Sequence, residues 1–489
     1  MLSFRAHLFT NLPSYTFVLH KLHSLHELQL QYGNLEIIGS YAFHGLPALQ
    51  TLYLKSNNIN YIDPLAFDRL SNMKVLYLST NKLQKLYPGQ FQGLDNLSWM
   101  SLSENSIKGL PLDVFRGLGN LQNLYLRYNS ISELTTLEVF NGLDKLTHLS
   151  LKGNQGLQVL NEKAFSSLTK LEKLDLEGNL ISSDMLTEVT FSGMSQLRML
   201  VLDDNPLTTV PAQAFRTVPS LTALFLSKTQ LEFIQPGAFR YLPNLKELTL
   251  DKNYKLTSLP QQCFHDIPQL QVLKCSDNEI RELPSRSFTN TSHLYKLTMT
   301  NTYLSQIHPT AFHNLISIKH LDLSNNQIAS LPADVFESIP FSDGLRIDLR
   351  DNPWTCDCNL HGFLNSTNKL YTTQQINRVF NISRRQPHCV NPTYLANKPI
   401  FNVSSANLTC NQSVTVSAVH SRTKIVMTSV CLSITVVIAI LSAALVFYVK
   451  CKRRRKISEN VQYGARQHFL TLPLDDDCIS VDDANNSNI

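Results

Sequence analysis

Four cysteines near the end of this 489-residue chain, Cys356, Cys358, Cys389 and Cys410, carry the plainest chemical signal. A Cys-x-Cys pair with two later partners suits a zinc site or two disulfides, and four cysteines allow three pairings. The compartment decides, since disulfides persist only where the surroundings are oxidising. Asn-x-Ser/Thr acceptors at Asn96, Asn290, Asn365, Asn381, Asn402, Asn407 and Asn411 are a second kind of site, for N-glycosylation on an outer surface. Five of them fall within 47 residues around those cysteines. Nothing else has the spacing of a reactive centre. There is no G-x-S-x-G, no H-E-x-x-H and no G-x-x-x-x-G-K-[ST], and the histidines are scattered without metal spacing. No enzyme, cofactor or metal site is expected.

The compartment is set by residues 425–449, which are 25 uncharged residues, enough to cross a hydrocarbon layer of roughly 30 Å with some tilt. A signal-peptide core or a buried helix is the rival reading, and length, position and flank argue against both. Lys450, Lys452, Arg453, Arg454, Arg455 and Lys456 follow at once, so positive-inside bias puts the tail in the cytosol and everything before Ile425 outside. The expectation is a single-pass type I protein of the cell membrane, with the four cysteines bridged as disulfides. Apart from that basic run a formal net charge of +5 leaves a nearly neutral remainder, which gives no footing for nucleic acid. Cys451, at the inner end of the span, is a palmitoylation candidate. The tail, residues 450–489, is expected to be disordered and is too short for a signalling domain or kinase.

The elements that carry these sites follow from a period. Phe43, Phe67, Phe91, Phe115, Phe140, Phe165, Phe191, Phe215, Phe239, Phe264, Phe288, Phe312 and Phe336 recur at intervals of 24 to 26 residues. Each is followed by a stretch of the form L-x-x-L-x-L-x-x-N-x-L, such as Leu49, Leu52, Leu54, Asn57 and Ile59. Period-two alternation sends Leu124 and Leu126 inward and Tyr125 outward. The Asn ends each strand, where its amide can satisfy backbone groups that the turn would bury unpaired. Gly33, Thr229 and Thr302 replace it, and Cys275 and Met299 replace inward leucines. Cys263 and Cys275 read as small buried thiols. No repeat buries its own apolar face, so stability comes from stacking. The pattern resembles the leucine-rich repeat, which implies an α/β solenoid, a horseshoe with a parallel concave sheet about 60 Å long.

Because the register is fixed, the outward residues can be named. The central outward position carries Tyr53, Tyr77, Tyr125, Asp175 and Phe225 among others, with Trp99 two residues earlier in its own repeat. Tyr53, Tyr77, Trp99 and Tyr125 make an aromatic stripe, and Asp175, Glu177, Asp203 and Asp204 an acidic zone beside it. Aromatic anchors with a charged neighbour suit a protein interface. The same rings can instead pack across neighbouring strands and protect the sheet.

Asn352-Pro353-Trp354-Thr355-Cys356-Asp357-Cys358-Asn359-Leu360, completed by Cys389 and Cys410, resembles the cysteine-flanked C-terminal cap of extracellular leucine-rich repeat proteins. Residues 1–412 are similar to Toll-like receptor ectodomains, platelet glycoprotein V and other single-pass adhesion-type members. That resemblance implies Cys356–Cys389 and Cys358–Cys410 bridges, with Trp354 covering the end of the core. Leu12, Pro13 and Phe17 resemble the second half of a repeat, so the chain is expected to start inside one, without the signal peptide and N-terminal cap of the family. The expected order is a partial repeat (1–24), thirteen repeats (25–343), the last repeat and cap (344–412), a stalk (413–424), the span (425–449) and the tail (450–489). The functional expectation is a protein-binding adhesion molecule or receptor. The alternative is an auxiliary subunit modulating a channel, receptor or enzyme in the same membrane.

Overall fold

The structure, a computed structural model, describes residues 2–3, 9–18, 22–135, 139–380, 386–404 and 408. Residues Met1–Thr409 form one compact unit, and Cys410–Ile489 lie outside the described residues. The segment expected to span the membrane, the stalk, the tail and Cys451 therefore fall outside the described residues, as do Asn381, Asn407, Cys410 and Asn411. Among the described residues no helix is long and apolar enough to cross a membrane.

Among the described residues, fifteen strands form a single parallel sheet, each hydrogen-bonded to the strand one repeat away, from Leu2–Ser3 to Arg346–Asp348. From the second strand on, each is three residues long with a buried centre, as in Thr51–Tyr53 with Leu52 wholly enclosed. Leu28, Leu52, Leu76, Met100 and Leu124 stand opposite one another in register, and the row continues to Ile347. The repeat period thus aligns identical positions of successive coils, which is why outward residues form rows as well.

Opposite the sheet, buried phenylalanines stack ring on ring in runs, from Phe17 to Phe91, Phe115 to Phe165, Phe191 to Phe215 and Phe264 to Phe336. Phe43 and Phe67 are 5.8 Å apart between centroids with planes 3° apart, and Phe264 and Phe288 are 5.8 Å and 1°. Phe17 joins the same spine 6.1 Å from Phe43, while Asn11–Leu12 pairs with Ile37–Ile38. Offset stacked pairs of this kind add about 0.5–1.5 kcal/mol beyond burial.

The α/β expectation needs correction. The α-helices among the described residues, α1 (Cys358–Leu370) and α2 (Thr373–Val379), both lie in the cap. Within the repeats the return path is made of tight turns closed by bonds such as Ala42 N–H to Gly39 and Leu49 N–H to Leu46, plus two-residue strands such as Tyr61–Ile62. Intervals of 24 to 26 residues, punctuated by Pro64, Pro111 and Pro211, leave no room for a helix that would bury an apolar stripe. The array is a β-solenoid.

The turn asparagines act between coils as well as within one. Asn129 Nδ2 donates to Leu126 in its own coil and to Leu102 in the preceding one, and its Oδ1 accepts from Ile107 N–H. Where Thr replaces Asn, the neighbour compensates. Thr229 Oγ1 lies within hydrogen-bond distance of the Leu226 carbonyl, 3.0 Å, and of Asn253 Oδ1, 2.7 Å. Gln230 and Tyr303, just after the two threonines, adopt left-handed backbone with φ of +73° and +60°. The free thiols Cys263 and Cys275 sit in the core and its margin, where burial pushes Cys263 up to about 12.

Candidate functional site

The outward face of the sheet holds a continuous ladder of rings. Tyr53 and Tyr77, opposite each other in register, stack 4.7 Å apart with planes 7° apart. Trp99 lies 4.5 Å from Tyr77 and 5.4 Å from Tyr125, tilted 47° to each. Ser101 stands between those two tyrosines in the strand register, and its small side chain leaves the space that the indole fills from the diagonal position. All four rings are half-buried. Their mutual contacts fix the rotamers in advance, and the surface left open faces solvent.

The ladder ends on a cation that sequence reasoning passed over. Arg127 places its guanidinium 5.1 Å from the Tyr125 ring centroid and donates from Nε to Ser150 Oγ at 2.8 Å. Ser150 in turn donates to Asp175 Oδ2 at 2.8 Å, and the Arg127 guanidinium lies 3.7 Å from the same oxygen. The signal was available: Arg127 and Lys152 occupy the outward position two residues beyond Tyr125 and Ser150.

The acidic zone is consequently less open than its composition suggests. Asp175 is buried and spent on Ser150 and Arg127, and Glu177 pairs with Lys152 Nζ at 2.7 Å. That pairing raises the Lys152 pKa. Asp203 accepts from Ser227 N–H at 2.6 Å. Burial, reinforced by the charges of Glu177 and Asp175, pushes its carboxyl up to about 6 against the opposing pull of that bond and of Lys228. Asp204 is exposed at φ +56°. Phe225 lies opposite Val201 in register, both half-buried, with Met199 in the same strand as Val201. It belongs to a second, smaller apolar patch and not to the ladder.

At the other end of the array, Trp354 is fully buried and donates from Nε1 to the Leu349 carbonyl at 3.1 Å. The Cys356–Cys389 bridge forms with a Cα–Cα separation of 5.7 Å. Cys358 is also disulfide-bonded, and its expected partner Cys410 lies outside the described residues. Asp357 caps α1 by accepting from Asn359 and Leu360 N–H, and Thr372 and Gln375 form a reciprocal cap on α2. The α1 residues Leu360, Phe363 and Leu364 face the core, and Phe363 packs edge-on to Phe336, which carries the spine into the cap.

The described acceptor asparagines, Asn96, Asn290, Asn365 and Asn402, are all exposed. Asn96 and Asn290 also donate to the Ser71 and His265 carbonyls of the preceding coil, both at 2.8 Å. Among the described residues no group of three or more His, Cys, Asp or Glu could hold a metal ion.

The model of the leucine rich repeat matches seven stretches that together run without a gap from residue 23 to 348. The chain belongs to the leucine-rich repeat family. Chondroadherin of Mus musculus is 36% identical over 64 residues, which are 13% of this chain and 17% of that protein. Trophoblast glycoprotein of Macaca fascicularis is 24% identical over 173 residues, 35% of this chain and 37% of that one. This repeat chain therefore spans well under half of the length of either relative. Among solved structures, Drosophila Toll in its complex with Spatzle shares the fold with a TM-score of 0.69 at 22% identity, over 84% of this chain and 55% of that one. A leucine-rich repeat protein of Leptospira interrogans gives 0.56 at 25% identity, over 71% and 89%.

Proposed function

We propose that this leucine-rich repeat array is the outer part of a single-pass type I surface protein that binds a protein ligand, as an adhesion molecule or receptor. The observation that carries the proposal is the preorganised ladder Tyr53–Tyr77–Trp99–Tyr125 running into Arg127. Large rings and an arginine held in fixed rotamers lose little conformational entropy on binding, and such residues dominate protein interfaces. The protein relationships named for Toll with Spatzle are of that kind and support the reading. Membrane placement rests on the uncharged residues 425–449, the basic run after them and the clustered acceptor asparagines. A bridge such as Cys356–Cys389 is at home in an oxidising compartment. The contacts are assigned to Tyr53, Tyr77, Trp99, Tyr125 and Arg127, with Asp175 positioning the arginine, and the patch at Phe225 is a second anchor.

The test is crosslinking of the intact chain on living cells, followed by identification of the captured protein. Changing Tyr53, Tyr77, Trp99 and Tyr125 to Ser is expected to abolish capture while the chain still reaches the surface. Undiminished capture removes the ladder from the interface. A captured protein of the same membrane that is lost when residues 425–449 are replaced by an unrelated span supports the auxiliary-subunit alternative instead.

A further inference from the structure

The cap contains a groove of about 270 Å³ between α1, α2 and the turn at Ile400–Asn402. Its lining is mixed and mainly polar: Leu364, Ile376, Phe401 and Val403 contribute apolar surface, and Asn365, Asn368 and Asn377 contribute carboxamides beside His361 and Thr373. Asn402, an exposed glycosylation acceptor, lines the same groove. The volume falls just below the roughly 300–1,000 Å³ of ordinary small-ligand sites, which suits a single sugar ring.

We propose that the groove seats the first N-acetylglucosamine of a glycan carried by Asn402, so that the sugar is a structural part of the cap. This rests on the reading that the array faces the secretory compartment. In the coupling step Asn402 Nδ2 bonds to C1 of the sugar of a lipid-pyrophosphate-linked oligosaccharide. The C1–O bond breaks, the pyrophosphate leaves with the electron pair, and the amide gives up one proton. The C1–N bond then holds the ring at the lip of the groove, with its C–H face toward Phe401 and its acetamido group within reach of the rim carboxamides. A lining that mixes apolar side chains with carboxamides suits a pyranose, which has both C–H and hydroxyl surfaces. The rival acceptor on the rim is Asn365, whose sequon hydroxyl on Thr367 is buried and donates to the Phe363 carbonyl at 2.8 Å. Ser404 of the Asn402 sequon is exposed. Both asparagines are exposed; Asn402, on the turn at Ile400–Asn402, is taken as the acceptor, and Asn365, within α1, as part of the groove wall.

The test is hydrogen exchange of α1 and α2 in the intact glycoprotein, with glycan occupancy at every sequon read by mass spectrometry. N402Q and S404A, which remove the same sugar by different side chains, are both expected to speed exchange by roughly tenfold. Trimming every glycan to one N-acetylglucosamine leaves protection intact, whereas enzymatic release of the whole glycan loses it. Unchanged exchange in N402Q and S404A overturns the proposal, as does an empty Asn402 beside occupied Asn96 or Asn290. Emptiness at all sequons overturns the compartment reading along with it.

Discussion

At the scale of single residues, the turn asparagine shows how a side chain substitutes for backbone pairing. Asn129 satisfies the carbonyls of Leu102 and Leu126 and the Ile107 N–H, groups enclosed between two coils. Asn129→Ala is therefore expected to cost roughly 2–4 kcal/mol in chemical denaturation, since buried groups are left unpaired. Asn179 Nδ2 donates to the equivalent carbonyls, those of Leu151 and Leu176, but its Oδ1 meets no donor among the described atoms because Leu157 N–H is taken by the Asn154 carbonyl. Asn179→Ala should cost measurably less, and equal losses would show that the Oδ1 bond contributes nothing. Asp203 offers a pH-dependent counterpart. Its folded carboxyl titrates at about 6, above its ordinary value of 3.8, so the folded state holds a proton that the unfolded state has released between those values. Stability contributed by this group is present below about pH 4 and falls as pH rises through 6. Asp203→Asn keeps an oxygen for Ser227 N–H and removes the charge from the neighbourhood of Asp175 and Glu177. It should raise the melting temperature at pH 7, by the equivalent of about 1–3 kcal/mol, and leave it nearly unchanged at pH 4.

At the scale of elements, the strand rows were legible in the sequence, and the cap helices were not. Three-residue strands with a buried centre follow from alternation, and the period fixed which of Tyr53, Tyr77 and Tyr125 would be neighbours. Alternation does not say which way an indole leans or which cation closes the row. Trp99 fills the place above Ser101, and Arg127 is shared by Tyr125, Ser150 and Asp175, because side chains two positions apart cross between strands. In α1 and α2 the start signals were present in Asp357 and in Thr372 with Gln375, while apolar spacing over 13 and 7 residues was too short to stand out. The α/β expectation failed for the complementary reason, that a convex return path can be closed by i+3 turns alone. The cap itself acts as a plug. Cys356→Ser opens a bridge between residues 33 apart and is expected to lower stability by roughly 2–4 kcal/mol, with the loss read first as faster hydrogen exchange around α1 and α2.

At the scale of the whole repeat unit, each coil touches only its neighbours, so stability is a chain of nearest-neighbour interfaces and the position of a defect matters as much as its size. Phe140 stacks on Phe115 at 6.2 Å and on Phe165 at 5.9 Å, whereas Phe17, near the start, has a described ring partner on one side, Phe43. Removal of either ring leaves a comparable cavity, worth about 3–5 kcal/mol in a closed core. Phe140→Ala breaks the Phe115–Phe140–Phe165 stack, which lies between the coils that carry the aromatic ladder and those that lead to the cap. Unfolding should then split into two transitions in denaturant, with tryptophan fluorescence following Trp99 in one and Trp354 in the other. Phe17→Ala should fray the first coils and leave one main transition for both tryptophans. If Phe140→Ala instead keeps a single transition in which both fluorescence signals move together, coupling along the array reaches further than adjacent coils, and the ladder and the cap stand or fall as one cooperative body.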